Sequence, residues 1–159
     1  MGLKKFLTYS LIAMLLFIAA VTSILNKSLG PLKQAKAETV SIAQKEASLA
    51  EVDDFFWYNG DETYFTVTGK DKDSKKIIFL LKQAGGSFEV IEQEGSLSKS
   101  EAIKKVRELE NPEHILEARI GKHKGLAVWE VSFRQENGKI AYTMLSLETG
   151  EWLRTIKNI

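Results

Sequence analysis

Cysteine is absent from the 159 residues of this chain, and proline and histidine occur only twice each. Without cysteine there is no disulfide, no thiolate nucleophile, no thiolate metal ligand and no lipid-modified cysteine. The two histidines, His114 and His123, have no serine or acidic partner at a catalytic spacing, and they are too few for a histidine-rich metal site. A folded domain in this chain must therefore rely on its core alone.

An excess of one charge is also missing. Lysine and arginine total 22, aspartate and glutamate total 21, and no run of like charges is longer than two residues. The chain therefore lacks the basic field expected of a nucleic-acid-binding protein. No glycine-rich phosphate loop follows a predicted strand. We expect no nucleic-acid partner, no metal and no cofactor.

The first 30 residues are interpreted as a short basic head and a transmembrane anchor. Lys4 and Lys5 precede 20 uncharged, mostly apolar residues at positions 6–25, and about 20 such residues are needed for a helix to cross a bilayer. The small-x-small sequence at 35–37 lies ten residues beyond the apolar run, which is far for signal-peptide cleavage. A retained anchor is favoured, and a cleaved signal remains the alternative.

The orientation of this anchor follows from two opposing signals. Lys27, Lys33 and Lys36 follow the apolar run and would favour the reverse topology. The short basic head resembles a bacterial export signal, and the remaining residues have the aromatic strand content of an exported domain. We therefore predict a single-pass protein of the cell membrane with its C-terminal domains outside the cytoplasm.

Two copies of one pattern follow the anchor. Residues 64 positions apart match in type: Phe65 with Trp129, Val67 with Val131, Gly86 with Gly150, and Phe88 with Trp152. The fold class is therefore predicted to be α+β, with two tandem units at residues 31–95 and 96–159, each one helix packed on an antiparallel sheet.

The limits of these elements follow from local signals. Gly30-Pro31 is expected to break the membrane helix, and a second helix is expected at 33–50. Ser98 and Glu101 form a capping box for the next helix, which Asn111-Pro112 ends. Asn-Gly turns at 59–60 and 137–138 indicate hairpins. Strands are predicted, in chain order, at 53–58, 62–68, 76–82, 87–93, 115–120, 129–133 and 139–145.

The second copy resembles the PepSY domain, whose fold is cystatin-like and which is related to propeptides and inhibitors of secreted metallopeptidases. The resemblance depends on a Ser-x-x-Glu-Ala-Ile helix start, a Trp-x-Val strand, an Asn-Gly turn and a Leu-Glu-Thr-Gly-Glu-Trp-Leu ending. The family more often has tyrosine where Trp129 stands. The residues assigned to this motif are Ala102, Trp129, Val131, Thr149, Gly150 and Trp152.

An anchor followed by a tandem pair resembles the TseB/YpmB family of monoderm bacteria over nearly the whole chain. The resemblance implies a non-enzymatic regulator of cell wall elongation with a penicillin-binding transpeptidase as its protein partner. Three alternatives stay open: a peptidase inhibitor or propeptide-like chaperone, a sensor of peptide or glycan, and an enzyme. The interface, the stoichiometry and the direction of regulation are not encoded in any motif.

A search for catalytic or metal-binding residue sets favours structural roles. Ser96-x-x-Lys99 matches one element of penicillin-binding enzymes, but the companion Ser-Asp-Asn and Lys-Thr-Gly elements are missing, and a helix cap is the better interpretation. Residues 71–74 lack the glycine and the distal glutamate of a calcium loop, so a solvated turn is favoured. Adjacent acidic pairs point to opposite faces of a strand.

The aromatic run Phe55-Phe56-Trp57-Tyr58 carries the one functional prediction at residue level. Alternation places aromatics on both faces of the same strand, so one face can serve a helix-covered core and the other must be buried elsewhere. The run is expected to fill the core and the joint between units. In the alternative, part of it, together with Tyr64, forms an exposed partner-binding site. An edge strand could also receive an extended peptide.

Overall fold

The computed structural model describes residues 2–159, without the side chains of residues 3, 4, 25 and 26, so Met1 and the Lys4 side chain of the predicted basic head lie outside it. The chain forms two compact parts, Met1–Ala35 and Lys36–Ile159. The elements are α1 (Leu3–Glu46), β1 (Leu49–Asn59), β2 (Thr63–Asp71), β3 (Lys76–Lys82), β4 (Phe88–Glu92), α2 (Lys99–Glu110), β5 (His114–His123), β6 (Leu126–Arg134), β7 (Ile140–Ser146) and β8 (Trp152–Ile156).

Helix α1 contains the predicted membrane anchor, and by length and composition it can cross a bilayer. The predicted break at Gly30-Pro31 is wrong, because Pro31 lies inside α1. A proline within a helix removes one N–H donor and costs about 3 kcal/mol, which is tolerated where its neighbours favour the helix. Residues 32–38 are Leu, Lys, Gln, Ala, Lys, Ala and Glu, all strong helix formers. The helix predicted at 33–50 is thus the end of α1, which stops at Glu46. The predicted helix end at residue 50 is wrong, because β1 begins at Leu49.

The body at residues 36–159 contains two four-stranded antiparallel meanders, each with its strands in sequence order. Strands β1–β4 form sheet A and β5–β8 form sheet B. Matching strands begin 64 residues apart, at 76 and 140 for β3 and β7 and at 88 and 152 for β4 and β8. The predicted α+β class is confirmed by this architecture. The unit boundaries at 30/31 and 95/96 stay a prediction.

Helix α2 begins and ends where its sequence signals place it. The Ser98 hydroxyl accepts from the Glu101 N–H at 3.3 Å, and the Glu101 carboxylate accepts from the Ser98 N–H at 2.9 Å. These reciprocal bonds satisfy two donors that the first helical turn leaves free. Asn111 adopts a left-handed φ of 44° and ends the helix. The buried residues of α2, Ala102 and Val106, face the core.

A shared hydrophobic core joins the two sheets. It combines residues of sheet A with residues of α2 and sheet B, among them Phe56, Tyr58, Ile78 and Leu80 from the first sheet and Ile120, Trp129, Val131 and Phe133 from the second. On the opposite face of sheet A, Val67 and Phe79 are also fully buried, as are Thr39 and Ala43 of α1. The end of α1 therefore covers that face.

Candidate partner-binding site

The aromatic run lies on β1, and strand alternation divides it between the two faces of sheet A. Phe55 and Trp57 are half-buried on the helix-covered face, where both contact Phe65. The Phe55 and Phe65 rings stack with centroids 6.2 Å apart, and Trp57 meets Phe65 edge-on at 5.1 Å. The Trp57 indole N–H donates to the Asn59 side-chain oxygen at 3.0 Å, which fixes the ring at the end of β1.

Phe56 points the other way and connects sheet A to α2 and sheet B. Its ring meets Trp129 edge-on at 5.7 Å, and the Lys99 ammonium lies 5.3 Å from the Phe56 centroid. Lys99 also pairs with Asp54 at 3.6 Å. The Trp129 indole N–H donates to the Leu97 carbonyl at 2.7 Å, so both aromatic residues have fixed orientations. Phe56 is thus part of the joint between the sheets.

Tyr58 is fully buried against two glycines of the joint. A Cβ placed on Gly121 would lie 2.1 Å from Cγ of Tyr58, and one on Gly60 would lie 2.6 Å from its hydroxyl oxygen. Only glycine leaves room for the ring at both positions. Burial raises the pKa of Tyr58 to about 12, and the carboxylates of Glu130 and Asp61 add to the shift. The hydroxyl has no hydrogen-bond partner among the described residues.

Charged groups surround this ring. Burial raises the pKa of Glu130, against the opposing effect of Arg119, whose guanidinium lies 3.6 Å away. Asp61, in the β1–β2 turn, contacts His123 at the end of β5 at 3.0 Å. The Thr66 hydroxyl of β2 donates to the Ile120 carbonyl of β5 at 3.0 Å, in a buried position. These polar contacts hold the first two strands of sheet A against β5.

Tyr64 lies close to Tyr58 on the buried face, with 9% of its surface exposed. Its hydroxyl donates to Glu62 at 3.0 Å, and Lys82 pairs with the same carboxylate at 2.5 Å. The hydrogen bond from Lys82, followed by that from Tyr64, lowers the pKa of Glu62. The structure thus brings Phe56, Tyr58 and Tyr64 together and leaves Phe55 and Trp57 apart from them. Partner binding by these residues stays a prediction.

The motif residues of the second copy have separate structural places. Ala102, Trp129 and Val131 are in the core. Gly150 has a left-handed φ of 69° and accepts a hydrogen bond from Lys105 at its carbonyl, 3.1 Å away. The neighbouring Thr149 is exposed, and its hydroxyl accepts from the Glu151 N–H at 3.2 Å, closing the turn. Trp152 is exposed and donates to Thr155 at 2.9 Å.

The residues considered for chemistry take part in local structure. The Ser96 hydroxyl donates to the Gln93 carbonyl at 2.8 Å. The Asp71 carboxylate accepts from the N–H groups of Asp73 and Lys75, both at 2.9 Å, as expected for a turn. Among the described residues, no group of three or more acidic or histidine side chains could hold a metal ion.

A groove lies between the last strand of sheet A and two turns of sheet B. Its volume is about 460 Å³, and it is lined by apolar Ile91, Leu126, Ala127 and Leu147 and by acidic Glu89, Glu92, Glu94 and Glu148. This groove could not be found from the sequence, because its walls come from three segments that are about 20 to 60 residues apart. The Glu-rich stretch 89–94 was the only signal available in the sequence.

Comparisons with known proteins agree on one family. A family model described as "Cell wall elongation regulator TseB-like domain" matches residues 38–81, from the end of α1 into β3. A Bacillus subtilis (strain 168) protein named "Probable cell wall elongation regulator TseB" is 23% identical over 158 residues, which cover 96% of this chain and 98% of that protein. Both matches support the assignment of this chain to a TseB/YpmB-like family.

A solved structure extends the likeness of this TseB/YpmB-like chain to its fold. The YpmB protein from Bacillus subtilis superimposes with a TM-score of 0.68 at 22% identity, covering 76% of this chain and 95% of that one. At this identity the likeness concerns the fold alone. It confirms the α+β architecture predicted from the duplicated pattern.

Proposed function

We propose that this chain is a membrane-anchored, extracytoplasmic, non-enzymatic binding protein that modulates cell wall elongation through a penicillin-binding transpeptidase. One observation carries the proposal. The likeness to the relative named "Probable cell wall elongation regulator TseB" extends over 96% of the chain, so it includes the apolar helix as well as both sheets. A shared arrangement of anchor and body supports a shared role more strongly than a match of one domain would.

The anchor gives the role a physical basis. Residues 6–25 carry no charge, and the described side chains there are exposed, as expected for a helix that is surrounded by lipid. Fixing the body to the membrane confines it to the layer in which membrane-bound wall enzymes work. This confinement raises the effective concentration of both partners, so that weak contacts suffice.

The local roles of the polar side chains support binding rather than catalysis. Ser98 caps α2, Lys99 lies over Phe56, and Asp71 closes a turn. The Ser98 hydroxyl donates to the Glu101 carboxylate at 2.6 Å, and both groups also bind backbone N–H groups of the capping box, so their contact serves the helix start. The rigid joint between the sheets suits a protein that presents fixed surfaces to a partner.

The proposal is tested by proximity labelling in the native host. A biotin ligase fused to the C-terminus should label penicillin-binding transpeptidases. A matched control replaces residues 6–25 with a cleavable export signal, which should lower that labelling several-fold because the effective concentration is lost. Labelling of cytoplasmic proteins alone would contradict the topology. Labelling of extracytoplasmic proteins without any wall synthase would contradict the partner.

A further inference from the structure

Four strands lie at the edges of the two sheets, and three of them carry features that block pairing with another chain. β1 and β5 contact each other in the joint, and each contains register shifts, at 49–55 in β1 and at 115–117 in β5. The pairing of β8 with β7 shifts between Met144 and Leu145 of β7, which pair with Arg154 and Trp152, and β8 carries the basic Arg154. Irregular register and basic residues are common means of protecting an edge strand.

Strand β4 has none of these protections. It pairs with β3 over five consecutive residues without a shift, and it contains no lysine and no proline. The bonds from Gln93 N to Lys76 O at 2.9 Å and from Lys82 N to Ser87 O at 2.8 Å define the phase of the ladder. Because antiparallel pairs alternate, the N–H and C=O groups of Phe88, Val90 and Glu92 point away from β3, toward the open edge.

The side chains along this edge differ between its two faces. Phe88 and Val90 lie on one face, 45% and 42% exposed, and Phe88 stacks on Phe79 at 5.2 Å. On the other face, Glu89 and Ile91 line the acidic groove defined above. A strand added to β4 would therefore place alternate side chains beside an apolar surface and inside an acidic groove.

We propose that the open edge of β4 receives an extended segment of a partner protein by strand addition, and that this segment alternates apolar with lysine or arginine residues. The apolar residues would extend the surface of Phe88 and Val90, and the basic residues would enter the groove. The inference rests on the proposed function only in that it takes the partner to be a protein. Main-chain bonds supply affinity in this binding mode, and the side chains supply specificity.

Charge favours a basic segment over a second copy of this chain. Glu89 pairs with Lys122, and Glu92 lies 3.9 Å from Lys75. Glu94 and Glu148 line the same groove and make no ion pair among the described residues. A second β4 would bring its own Glu89 and Glu92 to this acidic edge and add negative charge there, whereas a segment with lysine or arginine residues would offset that charge.

The test uses the full-length chain in detergent micelles and a defined probe. The probe is a peptide of about seven residues that alternates lysine and valine, long enough for one strand. Binding is measured by fluorescence anisotropy of the labelled peptide, and amide exchange is followed by NMR. We expect slower exchange at Phe88, Val90 and Glu92, the three amides that face the open edge. A peptide that alternates glutamate and valine should bind at least about tenfold more weakly.

Two variants separate strand addition from general attraction. Val90→Pro removes an outward N–H without removing a bond to β3, so sheet A should persist, whereas binding should fall by about tenfold. Val90→Thr keeps the N–H and the approximate size, and it should bind as the wild type does. If Val90→Pro does not fold, the double variant Glu94→Lys, Glu148→Lys serves instead, and it should prefer the glutamate–valine peptide.

The outcomes distinguish this inference from the proposed function. Failure of the lysine–valine peptide to bind, or equal binding by Val90→Pro and wild type, overturns strand addition at β4 even when proximity labelling finds a transpeptidase. Concentration-dependent dimers that Val90→Pro abolishes would assign the edge to a second copy and would likewise overturn the inference. Alternating protection at β4 supports it whichever protein is labelled in cells.

Discussion

At the scale of single residues, the contact of Tyr58 with Gly121 determines how closely the two sheets approach. Gly121→Ala places a methyl group 2.1 Å from the buried ring, so the ring or β5 must move. Overpacking of this kind costs about 1 to 3 kcal/mol in the free energy of unfolding. Thermal and denaturant unfolding of the chain in detergent would measure it. In a Tyr58→Ala background the added cost should vanish, and a cost that persists there would contradict the assigned contact.

The same residue gives a prediction for alkaline pH. Burial raises the pKa of Tyr58 from 10.0 to about 12. The folded state thus holds its proton more tightly than the unfolded state. The resulting stability is fully present below pH 10 and is lost as the pH rises toward 12. Unfolding free energy measured across this range should fall less steeply for Tyr58→Phe than for wild type. Tyr142→Phe is the matched control, and identical slopes for all three proteins would refute the prediction.

At the scale of elements, the cap of α2 depends on one hydroxyl. Ser98→Ala removes the acceptor for the Glu101 N–H and disrupts the reciprocal bond. We expect a loss of about 1 kcal/mol in unfolding free energy, the usual value for a cap. Ser98→Thr should keep most of the cap, whereas Ser100→Ala, which removes only the 3.1 Å contact between the Ser98 and Ser100 hydroxyls, should cost little. Equal effects of Ser98→Ala and Ser100→Ala on the denaturation midpoint would argue against the capping box.

Elements with strong local signals could be predicted from the sequence. The bounds of β3 at Lys76–Lys82 and the cap at Ser98 follow from an apolar run and a capping box. Pro31 could not be placed correctly, because its penalty had to be weighed against seven good helix formers that follow it. The start of β1 at Leu49, four residues before the predicted Asp53, has no sharp signal. Helix α1 ends only where Ser48 takes a left-handed φ of 52°.

The candidate site could be predicted only in part. Alternation correctly placed Phe56 and Tyr58 on the opposite face from Phe55 and Trp57, because the two-residue alternation of side chains is a local property of any strand. The partners of those faces could not be predicted, since Trp129 and Gly121 are more than 60 residues away. The edge of β4 was one of several equivalent edges in the sequence. The structure distinguishes the β4 edge from the others, because β1 and β5 pack together between the sheets and the pairings of β1, β5 and β8 contain register shifts.

At the scale of the whole molecule, the shared core predicts that both sheets of the body unfold together. Phe56 lies in sheet A and packs on Trp129 of sheet B. Phe56→Ala should cost about 3 to 5 kcal/mol, and amide protection should fall in β3 and in β7 alike. Phe88→Ala, at a half-exposed position on β4, should have a much smaller effect. Two separate unfolding transitions, or loss of protection confined to sheet A, would mean that the sheets are independent.

The joint also limits how many copies of the repeat such a protein can contain. The first strands of the two copies, β1 and β5, contact each other. Beside them, Phe56 of β1 meets Trp129 of β6, and Thr66 of β2 donates to Ile120 of β5. Head-to-tail repeats can add units indefinitely, because each unit offers a fresh surface to the next. Here the first strand of each copy contacts the first strand of the other, so both of these strands are already used. A third copy could not pack in the same way, because the first strands of both existing copies are already in contact. It would need a different interface.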